Sequence, residues 1–294
     1  MARLKPHRTR SAFTLIELLI AILIIGILAT LVTLGVSKAM TYAKQVATKT
    51  EMGQIEQALG VAAIEMGRVP YIPSYIKLCN DKTKYGTSAA DQMSLRILSQ
   101  MFPNAWTGAN GMEDWNGPNM QDPSNGIIEL KADRAFVFFL RGPEGNGFSA
   151  KGPPTSNPTN GKRYGPYFNF QENRLAFDPT DKLPRFLDYW QNDPKNSNNP
   201  APFLVVYSQM MVGSNASFRP DEFGTAAYNV PPGRQLQKGK LYMPKGYQIF
   251  SAGKDGRWGS TGYGVIDFQG NLMADGEDDQ ANFSESPLGK PIND

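Results

Sequence analysis

The sequence predicts an α+β protein in which one long N-terminal helix, membrane-spanning in its first half, packs by its second half on a small antiparallel β-sheet. Three observations point there. No proline interrupts the chain between Pro6 and Pro70, so a helix can run through that stretch unbroken. The run from Phe13 to Val36 is 24 residues long with Glu17 as its only charge. Short helical patterns then give way, in the second half of the chain, to extended segments separated by turn-rich connectors, the order expected of an α+β unit.

The chain divides by composition into a basic stub at 1–12, an apolar helical half at 13–36, an amphipathic helical half at 37–70 and a head at 71–294. The stub holds Arg3, Lys5, Arg8 and Arg10. Taking these four charges from the net +3 leaves −1 for the rest, so bulk electrostatics argue against a nucleic-acid partner. The apolar half reaches about 36 Å as helix, enough to cross a bilayer core. Basic residues before the span predict a single pass with the N-terminus cytoplasmic and the head extracytoplasmic. Glu17 breaks the hydropathy of that span, and a carboxylate inside a membrane usually has a partner and a function. Arg10, seven residues upstream, is the nearest preceding cation.

In the amphipathic half, Met52, Ile55, Leu59, Ala62 and Met66 recur at steps of three and four, the spacing of a helix that lays one stripe on a core. Lys44, Lys49, Glu51, Glu56 and Glu65 take other positions. The whole rod, Phe13 to Arg68, would measure about 84 Å and would be ended by Val69-Pro70. Gly26, Gly35, Gly53, Gly60 and Gly67 offer bends or close helix contacts.

Within the head, "AADQMSLRILSQMF" reads as an amphipathic helix, and "ADRAFVFFL" as a buried helix or strand that pattern alone leaves undecided. Between them "TGANGMEDWNGPNMQDPSNG" is loop by its Gly, Pro and Asn content. Trp106 and Trp115 are core anchors or a carbohydrate-binding face. The segments "GPYFNF", "NRLAF", "FLVVYS", "YQIFSAG" and "GVIDFQGN" read as strands, joined by the connectors "NDPKNSNNPAP" and "PPGRQLQKGK".

Catalytic readings are thin. The one histidine, His7, lies in the stub, and the one cysteine, Cys79, has no partner for a disulfide. If the stub is removed, Ser/His/Asp and Cys/His catalysis and histidine-ligated metal sites are excluded within the chain. A carboxylate hydrolase would draw on residues such as Glu113 and Asp114, but no nucleophile motif accompanies them; the expectation is a protein that is not an enzyme. Near the C-terminus, Asp275, Glu277, Asp278 and Asp279 crowd into five positions with Asp255 upstream. Such clusters repel unless protonated, solvated or shared with a hard cation such as calcium. The spacing is not that of an EF-hand, because the required glycine position holds Gln280.

The stretch "AFTLIELLIAILIIGILA", Ala12 to Ala29, resembles the type IV prepilin processing motif shared by type IV pilins and type II secretion pseudopilins. The resemblance implies the pilin-like fold: a long N-terminal helix on a small antiparallel sheet. It implies that a prepilin peptidase cuts between Ala12 and Phe13 on the cytoplasmic face and methylates the new amine of Phe13, and that Glu17 neutralises the Phe13 ammonium of a neighbouring subunit during assembly. The family usually has Gly where this chain has Ala12, a change expected to slow the cut.

The segments "YQIFSAGKDGRWG" and "ADGEDDQANFSE" are similar to the C-terminal loop of major pseudopilins, which binds calcium. Position by position, Ser251, Asp255, and Asp278 or Asp279 fall on that pattern, although "RWGSTGYGVIDFQGNLMA" intervenes where the family has a few glycines. The implied function is a structural subunit of an envelope-spanning filament of a type II secretion-type system, held in the inner membrane. Its implied partners are other pilin-like subunits, the prepilin peptidase, an inner-membrane assembly platform and the lipid bilayer. The other filament reading is a minor type IV pilin for adhesion or DNA uptake.

Overall fold

The computed structural model describes residues 14–67, 69–107, 111–116, 126–151, 153–156, 161–177, 179, 182–190, 201–208, 243–254, 256, 279–285 and 287–288. Among these are three α-helices, α1 (Leu15–Glu65), α2 (Ala89–Met101) and α3 (Ala135–Arg141), and nine short strands. The strands are β1 (Ile76–Cys79), β2 (Ile127–Leu130), β3 (Phe148–Ser149), β4 (Arg163–Tyr164), β5 (Leu175–Phe177), β6 (Pro184–Phe186), β7 (Leu204–Tyr207), β8 (Tyr247–Ser251) and β9 (Gln280–Ala281). The chain forms two compact units, residues 1–44 and 45–294.

The α+β class holds, and the strands are antiparallel throughout. They do not form one sheet, however: β1–β2, β3–β4 and β5–β6 are separate pairs, and β7–β8–β9 is the single three-stranded sheet among the described residues. Strands of two to five residues between Gly- and Pro-rich turns are too short to build a continuous surface. The expected strand "GPYFNF" is irregular. Gly165 takes a left-handed φ of 70°, Pro166 has no N–H for a ladder, and the Tyr167 N–H donates to the Leu140 carbonyl at the end of α3 at 2.7 Å. The segment "GVIDFQGN" lies outside the described residues.

In the second unit, the anticipated stripe is the buried one: Met52, Ile55, Leu59, Ala62 and Met66 are all fully buried. The helix ends before the expected Val69-Pro70, because Gly67 adopts φ 91°, the left-handed cap that terminates helices. A β-carbon on Gly67 would sit 2.5 Å from the Gln100 carbonyl oxygen, whereas Gly26, Gly35, Gly53 and Gly60 meet nothing within 4 Å. Only Gly67, among these five, makes the close contact expected of such glycines.

Glu51, outside the apolar stripe, is buried as well. Arg174 grips it with two bonds, Nη1 to Oε1 at 2.9 Å and Nη2 to Oε2 at 2.6 Å. The same guanidinium donates to the Leu187 carbonyl and lies between the rings of Phe186 and Tyr189, 4.3 and 4.1 Å from their centroids. Two further ties join α1 to the β8–β9 end: Lys49 Nζ donates to the Ser284 carbonyl, and Asn282 Nδ2 donates to Glu56 Oε2 at 3.1 Å. β7 and β8 are buried along their full length, Gln248 and Ser251 of β8 included.

The segment "ADRAFVFFL" resolves as helix. α3 is buried on all sides, which is why periodicity could not decide it. α2 begins at Ser88, whose side chain accepts from the Asp91 N–H, a standard N-cap. Both tryptophans are core anchors: Trp106 and Trp115 Nε1 each donate to the Cys79 carbonyl at 2.9 Å, and their rings meet edge-on at 5.7 Å.

Candidate functional site: the helix N-terminus and the C-terminal loop

The first residue of the chain that the structure describes is Thr14, and it begins α1. Its carbonyl accepts the first helical bond, from the Leu18 N–H at 3.2 Å, so Thr14 is the N-cap. The Glu17 N–H donates to Thr14 Oγ1 at 3.3 Å, and Glu17 Oε2 accepts from the Thr14 N–H at 2.8 Å and from Thr14 Oγ1 at 2.9 Å. This reciprocal pair is a capping box, in which the N-cap hydroxyl and the third-position carboxylate satisfy each other's backbone donors. Its sequence signature is T-L-I-E, Thr14 to Glu17. The N-terminal dipole of the helix also favours a carboxylate there. Among the described residues, both bonds to the Glu17 carboxylate go to Oε2.

Around this cap the helix is apolar and exposed in the isolated chain. Leu15, Ile16, Leu18, Leu19, Ile22, Leu23, Ile25 and Leu31 all stand open to the surroundings. The segment is long and apolar enough to cross a membrane. Its hydroxyls do not oppose that environment: Thr30 Oγ1 donates to the Gly26 carbonyl and Thr33 Oγ1 to the Ala29 carbonyl, each at 2.8 Å, so each polar group is satisfied within its own helix. Ala12 and Phe13, the expected cleavage and methylation positions, lie outside the described residues.

At the other end of the chain, the expected metal set is only partly brought together. Antiparallel register places Ser251 of β8 opposite Gln280 of β9, and directly opposed residues point to the same side of a sheet. Asp279, fully buried, immediately precedes β9. Asp255 and Asp278 lie outside the described residues. The structure adds two residues that the sequence reading did not select. Asp188 is fully buried, accepts from Ser251 Oγ at 2.5 Å through Oδ2 and from the Trp190 N–H at 3.0 Å through Oδ1. Gln280 is also fully buried, and neither atom of its amide has a hydrogen-bond partner among the described residues. Asp188, in "FLDYW", carried no local signal, since only the fold brings it across 63 positions to Ser251. Gln280 was read as the residue that rules out an EF-hand, not as an oxygen donor. No three carboxylate, cysteine or histidine residues form a metal-holding group among the described residues.

Glu113 and Asp114, the carboxylates of the hydrolase reading, sit in the 111–116 loop. Glu113 is 1% exposed and its Oε1 accepts from the Thr155 N–H at 2.9 Å and from Thr155 Oγ1 at 2.6 Å. Burial raises its carboxyl above the usual carboxylate range, opposed by the two Thr155 bonds.

Comparison with known families gives one finding. A family model described as "Prokaryotic N-terminal methylation motif" matches residues 7–33, the stretch that contains the second half of the stub, the capping box and most of the apolar run. The N-terminal segment is therefore type IV prepilin-like. No curated protein and no solved structure matches the chain.

Proposed function

We propose that the chain is a structural subunit of an envelope-spanning filament of a type II secretion-type system, a pseudopilin, cut by a prepilin peptidase between Ala12 and Phe13 and methylated on Phe13. The observation that carries this reading is Glu17. It caps its own helix through Oε2 and is the one charged residue of a segment whose exposed side chains are mostly apolar. Cleavage after Ala12 creates an ammonium at Phe13, and a second subunit's Glu17 is the partner such a charge needs in a low-dielectric fibre core. Before assembly the chain sits in the inner membrane as a single pass, N-terminus cytoplasmic and head extracytoplasmic, with the lipid bilayer covering the apolar face. The assembly platform and other pilin-like subunits then replace the lipid.

Filament formation in this account is noncovalent. Apolar faces supply the association, and the Glu17 charge sets register, as single polar residues do in other helical assemblies. Co-expression with a prepilin peptidase, followed by mass analysis of the N-terminus, tests the processing step. The expected product begins at N-methyl-Phe13; an intact stub in the presence of an active peptidase contradicts it. Recovery of the mature chain with secretion-type pseudopilins supports the secretion assignment, whereas specific binding of DNA or glycan by the head supports the minor-pilin alternative.

Calcium is part of the same proposal. The supporting observations are the buried Asp188–Ser251 pair, the buried Asp279 and the amide oxygen of Gln280, which together supply the neutral and charged oxygens that calcium takes; Asp255 and Asp278 would complete the set. Thermal melting of the full chain in detergent, with millimolar calcium or with chelator, is the test. A calcium-dependent rise in Tm is expected, since an ion held only by the folded state stabilises it by mass action. An unchanged Tm would remove the metal from the account.

A further inference from the structure

Glu113 presents a problem that no part of the assembly reading uses. Its carboxyl is buried, and one oxygen is doubly bonded to Thr155 while the other, Oε2, has no hydrogen-bond partner among the described residues. An ionised carboxylate placed out of water without a cation is strongly disfavoured. Burial raises its carboxyl and the two Thr155 bonds oppose that rise; the half-buried Asp114 is the adjacent titratable group in the same loop. The Glu113 N–H donates to the Asn80 carbonyl at 2.9 Å, and the neighbouring Met112 bridges Asp81, so this carboxyl lies where the loop 111–116 meets the end of β1. Thr155, 42 positions away, belongs to a turn held by the Ser149 N–H to Pro154 carbonyl bond at 2.8 Å. The side chain therefore spans two loops that no strand pairing joins among the described residues.

We propose that Glu113 is a proton-operated latch: as the neutral acid it holds the 111–116 loop to the 153–156 turn, and on ionisation it loosens that junction. The sign follows from the geometry. A carboxyl favoured as the neutral acid in the fold contributes stability that is fully present below its unfolded pKa of about 4.3 and is lost as pH rises through its higher folded value. Trp115, two residues away with its indole on the Cys79 carbonyl, is placed to report the loosening by fluorescence.

The experiment is thermal melting of the full chain in detergent, followed by tryptophan fluorescence, from pH 4.5 to pH 8. The protein, Glu113→Gln and Thr155→Val are compared, each with calcium and with chelator. Relative to Glu113→Gln, the wild-type Tm is expected to fall by at least about 2–4 °C across the range. Thr155→Val, which removes a donor that favours the charged form, is expected to move the fall to higher pH. Equal pH slopes for wild type and Glu113→Gln overturn the latch. If Glu113→Gln does not fold, an unshifted pH midpoint in Thr155→Val overturns it. A calcium-dependent Tm gain that Glu113→Gln loses also overturns it, because a cation and not a proton would then neutralise the carboxyl.

Discussion

At the scale of single residues, two carboxylates that the sequence placed together by type are separated by surroundings. Glu17 stands exposed at a helix start, held by a threonine three positions back. Glu51 is buried and fully engaged by Arg174. Burial holds the Glu51 carboxyl above its usual range in spite of the guanidinium on it, so desolvation is not fully offset, and the pair serves to fix where α1 lies against the β5 end of the head more than to add stability. Glu51→Ala leaves Arg174 buried and unpaired and is expected to cost about 3–5 kcal/mol in denaturant unfolding. The double change Glu51→Leu with Arg174→Met is expected to recover most of that loss. A double variant as unstable as the single one would show that the loss came from something other than the stranded charge.

At the scale of elements, α1 is the part most legible in the sequence. Its apolar half, its buried stripe and its proline-free length were all readable, because helical periodicity is a local property. Its stop comes earlier than the Val69-Pro70 signal, at Gly67, whose left-handed φ of 91° caps the helix; not legible in the sequence is the Gln100 backbone, 33 residues away, that leaves no room for a β-carbon there. Gly67→Ala is therefore expected to destabilise the head by more than the roughly 1 kcal/mol of a left-handed non-glycine residue, as read by denaturant unfolding, because the new methyl also meets backbone. Leu59→Ala, in the fully buried stripe, is expected to cost about 2–5 kcal/mol. The short strands were less legible: β1, β2 and β6 were not marked by alternation, and "GPYFNF" alternated well but is held by α3 instead of a ladder. A strand of three or four residues carries too little pattern, and its partner lies far away in sequence.

At the scale of the whole molecule, the two ends of the chain carry different kinds of information. The N-terminal function is local, because processing, capping and membrane insertion all read a contiguous stretch, and residues 7–33 alone match the methylation family. The C-terminal candidate site is not local: Ser251 was selected from its neighbours, but its partner Asp188 could be found only once β8 was placed beside the end of β6. In the proposed filament, Glu17 acts between subunits and not merely within its own helix. The most direct measurement of that role is the fraction of mature protein entering filaments when Glu17→Ala is expressed in place of the native chain, with membrane insertion and Phe13 methylation followed in parallel. The expected variant is inserted, cut and methylated yet absent from filaments; incorporation at the native level would rule out an intersubunit role for Glu17.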